Sequence, residues 1–335
     1  MPLVIVANAA VGKSWASQAT GILAGVTAGI TFLIGLGLAG GVIQAGPAGQ
    51  AIGVDAGIMA AAVVAATMAS KPVRERLARV IPIDPDNPVH AYAVVLVVIW
   101  LGMQLATIAF VDVLSSDQSL PPLTVGDVVA SELPFLIMAV AGVGLFIRRD
   151  AAGVAGRLGL TGPAWWQIGV GLASAGAFFA LIQAADALSH AWTPQLAHQV
   201  DRTTQHVFGA LDNPVGIAVV ALLPGICEEI LFRGALQPRI GLLATAVLFA
   251  SVHTQYGFSF DAVAIFVVAV GLGLLRKYTN TTTSCICHVS YNLLAGIGIA
   301  SNLIGAAVAV EIALIGLSAY SVWSIRRRPR ITASP

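Results

Sequence analysis

Three ionisable residues, Glu228, Glu229 and Arg233, sit inside the otherwise apolar run Pro224-Gly225-Ile226-Cys227-Glu228-Glu229-Ile230-Leu231-Phe232-Arg233-Gly234. An ionisable side chain at membrane depth costs roughly 3 kcal/mol on insertion scales, so such residues face a protein or water interior and point to function. On a helix, residues four apart share a face. Glu229 and Arg233 are therefore expected to pair, while Glu228 points about 100° away. Glu228 is left without a cation and is free to act as a general base or acid. The plainer reading of the same residues is one buried ion network that ties helices together.

Two further stretches carry histidines in apolar surroundings: Phe249-Ala250-Ser251-Val252-His253 and His288-Val289-Ser290-Tyr291-Asn292. A lone histidine in an apolar helix is usually a satisfied core residue, so the question is depth. By helical rise, Glu228 lies roughly 16 Å from the edge marked by Arg239, His253 roughly 20 Å from Gly241, and His288 roughly 17 Å from Lys277. Similar depth is what one site shared by three helices requires. Asn292 follows His288 by four and shares its face, as Phe249 does with His253. A carboxylate, two imidazoles and an amide make a hydrolytic set. Glu228, helped by His253, could deprotonate water, while His288 and Asn292 donate to a developing oxyanion. The same Glu228, His253 and His288 could instead hold Zn²⁺ with an open position. Spacing does not separate the two versions, and the chain has no His-Glu-x-x-His.

These residues must be positioned by membrane helices. The chain is 57% hydrophobic and 10% charged, with a mean hydropathy of +0.87. Soluble domains carry about 25% charged residues, so an all-α, polytopic bundle is expected. About ten spans are read, eight to ten being compatible with the pattern, near 20–43, 51–70, 89–114, 128–147, 165–188, 215–234, 240–253, 261–275, 281–299 and 301–323. With the N-terminus inside, every Lys/Arg cluster falls on one side: 71–79, 148–157, 233–239, 276–277 and 326–330. Both termini are therefore expected to be cytoplasmic. The first long apolar run is of spanning length and reads as a retained helix rather than a cleaved signal. Residues 189–214, with His190, His198 and His206, read as a polar loop with solvated histidines. Glu132, Asp186 and Glu311 are further acids at or near span ends or within spans. Cys227, Cys285 and Cys287 suggest small packing residues rather than a disulfide framework.

Glu228-Glu229-x-x-x-Arg233, Phe249-x-x-x-His253 and His288-x-x-x-Asn292, in that order, resemble the CPBP family, the CAAX-protease and bacteriocin-processing group also called Abi. The resemblance covers about residues 165–303, with Leu158-Gly159-Leu160 and Trp165-Trp166 as its lead-in. It implies a glutamate-dependent intramembrane endopeptidase. In that reading Glu228 and His253 activate water, His288 and Asn292 form the oxyanion site, and Glu229 and Arg233 support them. Such enzymes are commonly described as metalloproteases, so Zn is a cofactor to consider alongside a metal-free mechanism. The expected organisation is N-terminal helices of unassigned role over 1–160, a catalytic core over 161–305, and a last helix with a basic tail over 306–335. The expected partners are a peptide or protein substrate presented at the membrane and the bilayer itself, not nucleic acid. The alternative is a non-proteolytic membrane scaffold, or an immunity-type binding protein of the same fold. A proton-coupled transporter is disfavoured because the first half holds no repeat of the acidic motif.

Overall fold

The computed structural model describes residues 2–43 and 52–327. In chain order the helices are α1 (Pro2–Ala10), α2 (Ala16–Ala39), α3 (Ile52–Ala66), α4 (Lys71–Leu77), α5 (Pro88–Phe110) and α6 (Val113–Ser119). They continue with α7 (Val125–Gly142), α8 (Ala151–Leu158), α9 (Trp165–Trp192), α10 (Pro194–Phe208) and α11 (Pro214–Glu229). A π-helix (Ile230–Leu236) extends α11, followed by α12 (Gln237–Ile240), α13 (Leu242–Ser251), α14 (Phe260–Tyr278), α15 (Thr281–Ile297) and α16 (Ile304–Arg327). The described residues form no strand.

Local chemistry sets many of the helix starts. Asn87 accepts from the backbone N–H groups of Val89 and His90 ahead of Pro88, Asn213 accepts from Gly216 ahead of Pro214, and Asn280 accepts from Thr283. Each satisfies donors that a helix start leaves orphaned, and proline at the first position lacks the N–H that would need a partner. Thr124 and Asp127 close a reciprocal capping box on α7. At the other end of α12, Gly241 takes φ +84°, a turn favouring glycine, and so reverses the chain into α13.

Seven helices among the described residues are long and apolar enough to cross a membrane: Ala16–Ala39, Ile52–Ala69, Pro88–Phe110, Val125–Gly142, Trp165–Trp192, Pro214–Ile240 and Ser301–Ser324. The all-α polytopic architecture stands; of the ten expected spans, seven are helices of this length and apolarity among the described residues. The expected seventh span is α13, whose ten residues reach about 15 Å against a hydrocarbon core of about 30 Å. The expected eighth and ninth are α14 and α15, of 19 and 17 residues. Charges at both ends of α14 and the polar run Thr281-Thr282-Thr283-Ser284 on α15 interrupt their apolarity. Residues 189–214 are not a loop: α10 is a helix of 15 residues with Ala197, Val200 and Thr203 buried. The end of the basic tail, 328–335, lies outside the described residues.

One apolar core runs from Val4, Leu23 and Val95 through Ala139 to Phe232, Phe249 and Ile265. The N-terminal helices α1, α2, α5 and α7 therefore share a core with the helices that carry the acidic motif. On the other side, α15 packs against α11 and α9. A Cβ at Gly225 would meet the Val289 backbone nitrogen at 2.9 Å, so glycine there lets α11 and α15 approach closely, next to Glu228 and His288.

Candidate functional site

The acidic motif sits where α11 changes register. Glu228 and Glu229 end the α-helical part and Arg233 lies in the π-helix that follows. Single π segments inside helices widen the turn and recur at functional sites. All three side chains are buried, Glu229 and Arg233 almost completely at 0% and 1% exposure.

Arg233 is the hub. Its Nη1 lies 3.1 Å from Glu229 Oε1, its Nη2 donates to the Ala269 carbonyl on α14 at 3.2 Å, and its guanidinium rests 4.2 Å from the Phe249 ring centroid. A buried guanidinium needs an acid, a carbonyl and an aromatic face of this kind to replace water. The same Glu229 Oε1 lies 3.1 Å from His288 Nδ1 on α15. An ionised carboxylate only accepts, so His288 Nδ1 is the donor and its Nε2 is the remaining ring atom. Glu229 thus joins α11, the π-helix and α15.

Glu228 is not part of that pairing. It is buried, and its Oε2 has no hydrogen-bond partner. His253 donates Nδ1–H to the Phe249 carbonyl at 2.9 Å, which leaves Nε2 as a free acceptor. Its ring stacks on Phe249 at 4.6 Å between centroids, and Phe249 also meets the His288 ring at 6.0 Å. The two imidazoles therefore flank one phenyl ring. His253 was expected inside a span; it follows the end of α13 with non-helical backbone, φ −94° and ψ 56°. The helix stops at Ser251 and the chain turns through residues 254–259 into α14, which leaves the imidazole on a break in the helix rather than on a helical face. Asn292 gives one amide N–H to the Val220 carbonyl on α11 at 3.2 Å and keeps the second.

Glu132 joins this group without having been anticipated as a site residue. It comes from α7, is buried with Oε2 unpartnered, and lies within electrostatic reach of Glu228. The sequence signal was available: an acid seven residues into an apolar span, just before Pro134. What was missing was the packing of α7 on α11.

As a zinc site the donor chemistry is suitable in part. Both histidines anchor Nδ1 and leave Nε2 free, as metal-bound imidazoles do. However, the three-ligand group among the described residues whose donor atoms lie within 4.8 Å of one another is His190, His198 and Asp201, not Glu228, His253 and His288. As placed, the latter three do not form a metal cage. The first group lies where α9 meets α10, with His190 Nε2 3.1 Å from Asp201 and 3.6 Å from Asp186. The histidines expected to be solvated in a loop are thus held on helices, and Asp186 pairs with one of them. The three cysteines are free and buried.

Residues 210–294 match the family model described as type II CAAX prenyl endopeptidase Rce1-like. That stretch contains Glu228, Glu229, Arg233, His253, His288 and Asn292, and excludes Glu132. Over 147 residues the chain is 30% identical to YpbD, an uncharacterized protein of Bacillus subtilis (strain 168), a match covering 43% of this chain and 74% of that protein. No solved structure matches the chain.

Proposed function

The chain belongs to the CPBP family of CAAX-protease-like membrane proteins, and from that membership we propose that it is an intramembrane endopeptidase in which Glu228 activates the attacking water. The observation that carries the reading is the division of labour between two adjacent glutamates. Glu229 Oε1 is committed to Arg233 and His288, although its Oε2 is unpartnered, whereas Glu228 is buried beside them with no side-chain partner and an unbonded Oε2.

The steps follow from the free atoms. Glu228 takes a proton from a water whose position His253 Nε2 can fix by accepting its other hydrogen. The water oxygen attacks the peptide carbonyl, and the resulting oxyanion receives the second N–H of Asn292. His288 Nε2 supplies another donor when its ring carries both protons, with Glu229 holding the ring through Nδ1. As the C–N bond breaks, the proton passes from Glu228 to the leaving amine. Glu132 is a second carboxylate that can exchange that proton with Glu228, and Arg233 holds Glu229 in place. The placement of His253, His288 and Glu228 gives no reason to route a step through a metal.

The substrate is a peptide or protein presented from the membrane. The Lys/Arg clusters at 148–157, 233–239 and 276–277 favour a cytoplasmic placement for the basic end of these helices. The test is profiling of protein N-termini in membranes of cells carrying the wild type or Glu228→Gln at matched expression. New termini present with the wild type should fall at least ~100-fold with the variant, since a general base contributes about 10²–10⁴. Identical termini, together with a wild-type phenotype that survives Glu228→Gln, would sink the protease reading and leave a binding protein.

A further inference from the structure

A cavity of about 470 Å³ lies between α1, α5, α7 and the π-helix, a volume in the range of small-molecule sites. It shares a wall with the acidic motif: Leu231 and Phe232 line it, and Phe232 meets Phe249 edge-on at 5.2 Å, the ring against which His253 stacks. Most of its lining lies outside the 210–294 stretch. The N-terminal helices therefore build it.

The cavity has two chemically distinct ends. Its four lining arginines, Arg148, Arg149, Arg157 and Arg239, lie within electrostatic reach of one another, Arg148, Arg157 and Arg239 also of His90, and Asn8 bonds to Arg148. The body is apolar, walled by Tyr92, Leu96, Trp100, Met138, Phe232 and Leu248. Along α5, His90 and Trp100 are ten residues apart, about 15 Å by helical rise, so the charged end and the apolar body lie at different depths.

The charge at the basic end is not neutralised from within. None of the four arginines forms an ion pair with a carboxylate among the described residues. Their contacts are neutral: Arg148 Nε donates to Asn8 Oδ1 at 2.9 Å, Arg157 to the Gly234 carbonyl at 3.0 Å, Arg239 to its neighbour's carbonyl at 3.2 Å, and Arg149 to the Val143 carbonyl. Burial, then repulsion from Arg239, Arg149, Arg276 and Arg148, pulls Arg157 down to about 10. His90 accepts the Asp84 backbone N–H at Nδ1, so its Nε2 is left to donate. Like charges crowded around an apolar hole are unfavourable alone and favourable around an anion.

We propose that this cavity binds an anionic phospholipid, its phosphate between Arg148, Arg149, Arg157 and Arg239 and its acyl chain against Tyr92, Leu96 and Trp100. Guanidinium forks match phosphate oxygens two at a time, and basic pockets between membrane helices are suited to lipid head groups. A phosphodiester carries the same single charge as a peptide carboxylate but adds ester oxygens and, in a lipid, the chain that the apolar body fits. The site does not depend on the protease reading, because binding is measured without cleavage.

The experiment is lipid retention by the purified full-length protein, read by native mass spectrometry after exposure to vesicles of phosphatidylglycerol or phosphatidylcholine. Phosphatidylglycerol should be retained at least tenfold over phosphatidylcholine. Arg149→Gln with Arg239→Gln should reduce that retention at least fivefold, and the paired lysine substitutions should restore most of it. Ala93→Trp, which fills the apolar body and leaves every arginine in place, should reduce it as well. Retention of both lipids to equal extent would overturn the proposal, as would no change with either the glutamine pair or Ala93→Trp. Displacement by inorganic phosphate alone would mean an ion site, and displacement by a peptide carboxylate alone a peptide site; either overturns the lipid assignment.

Discussion

Two helices of nearly the same apolar composition have opposite surroundings. Half of the apolar window of Pro214–Ile240 is buried, and none of the window of Ser301–Ser324 is. The first carries α11 and the π-helix and packs against α7 and α15; the second, with α16, packs mainly against α9 and turns Ile312, Leu317 and Tyr320 outward. Hydropathy reports the transfer of a helix from water to lipid, and lipid is as apolar as a protein core. It cannot tell which helix is central. Ionisable groups can: Glu228, Glu229 and Arg233 require partners that lipid does not offer, so the helix that holds them must be enclosed.

That comparison is broken most severely by removing the cation at its centre. Arg233→Ala leaves Glu229 buried without its guanidinium, and loss of one member of a buried pair costs about 3–5 kcal/mol. The expected outcome is a large fall in the yield of monodisperse protein in detergent, with Glu228→Gln close to wild type in the same assay. Equal loss from both would mean that Glu228 is as structural as Glu229. A smaller effect is expected at Glu132, which lies within electrostatic reach of Glu228 from α7. Glu132→Gln should slow cleavage about tenfold, about 1.4 kcal/mol, while folded yield is kept. Unchanged cleavage would remove Glu132 from the site and return α7 to a packing role. Smallest of all is Ile312→Ala on α16, 65% exposed, expected within about 0.5 kcal/mol of wild type in thermal unfolding. A shift as large as that of Arg233→Ala would show that another surface covers α16 in the working protein.

Much of the site was legible because its rules are local. Four-residue spacing anticipated the pairing of Glu229 with Arg233, now at 3.1 Å, and the sharing of one side by Phe249 and His253, whose rings stack. The order of the three motifs within apolar helices was enough to indicate the family. The partner of His288 was not legible: the ring meets Glu229 rather than Glu228, and that choice depends on how α15 crosses α11 at Gly225. Nor was the π-helix, since an i→i+5 turn is stabilised by what packs around it rather than by residue preference. The lengths of the expected spans were less legible for a related reason. The ten-residue α13, with Leu243 and Val247 exposed, has the same local apolarity as a crossing helix, and only its ends reveal its length.

By itself the sequence determined that this chain enters a membrane as helices, where most of those helices begin, and that its acids, its arginine and its histidines could not be left facing lipid. Each of these follows from short-range chemistry: capping donors, proline, apolar runs of spanning length and the expense of charge in hydrocarbon. Tertiary structure alone decided that Glu229 also holds His288, that Glu132 reaches the site from 96 residues before Glu228, and that four arginines line an apolar cavity. Those outcomes depend on which helices touch, and packing between distant segments is set by the fit of whole surfaces, which no window along the chain contains.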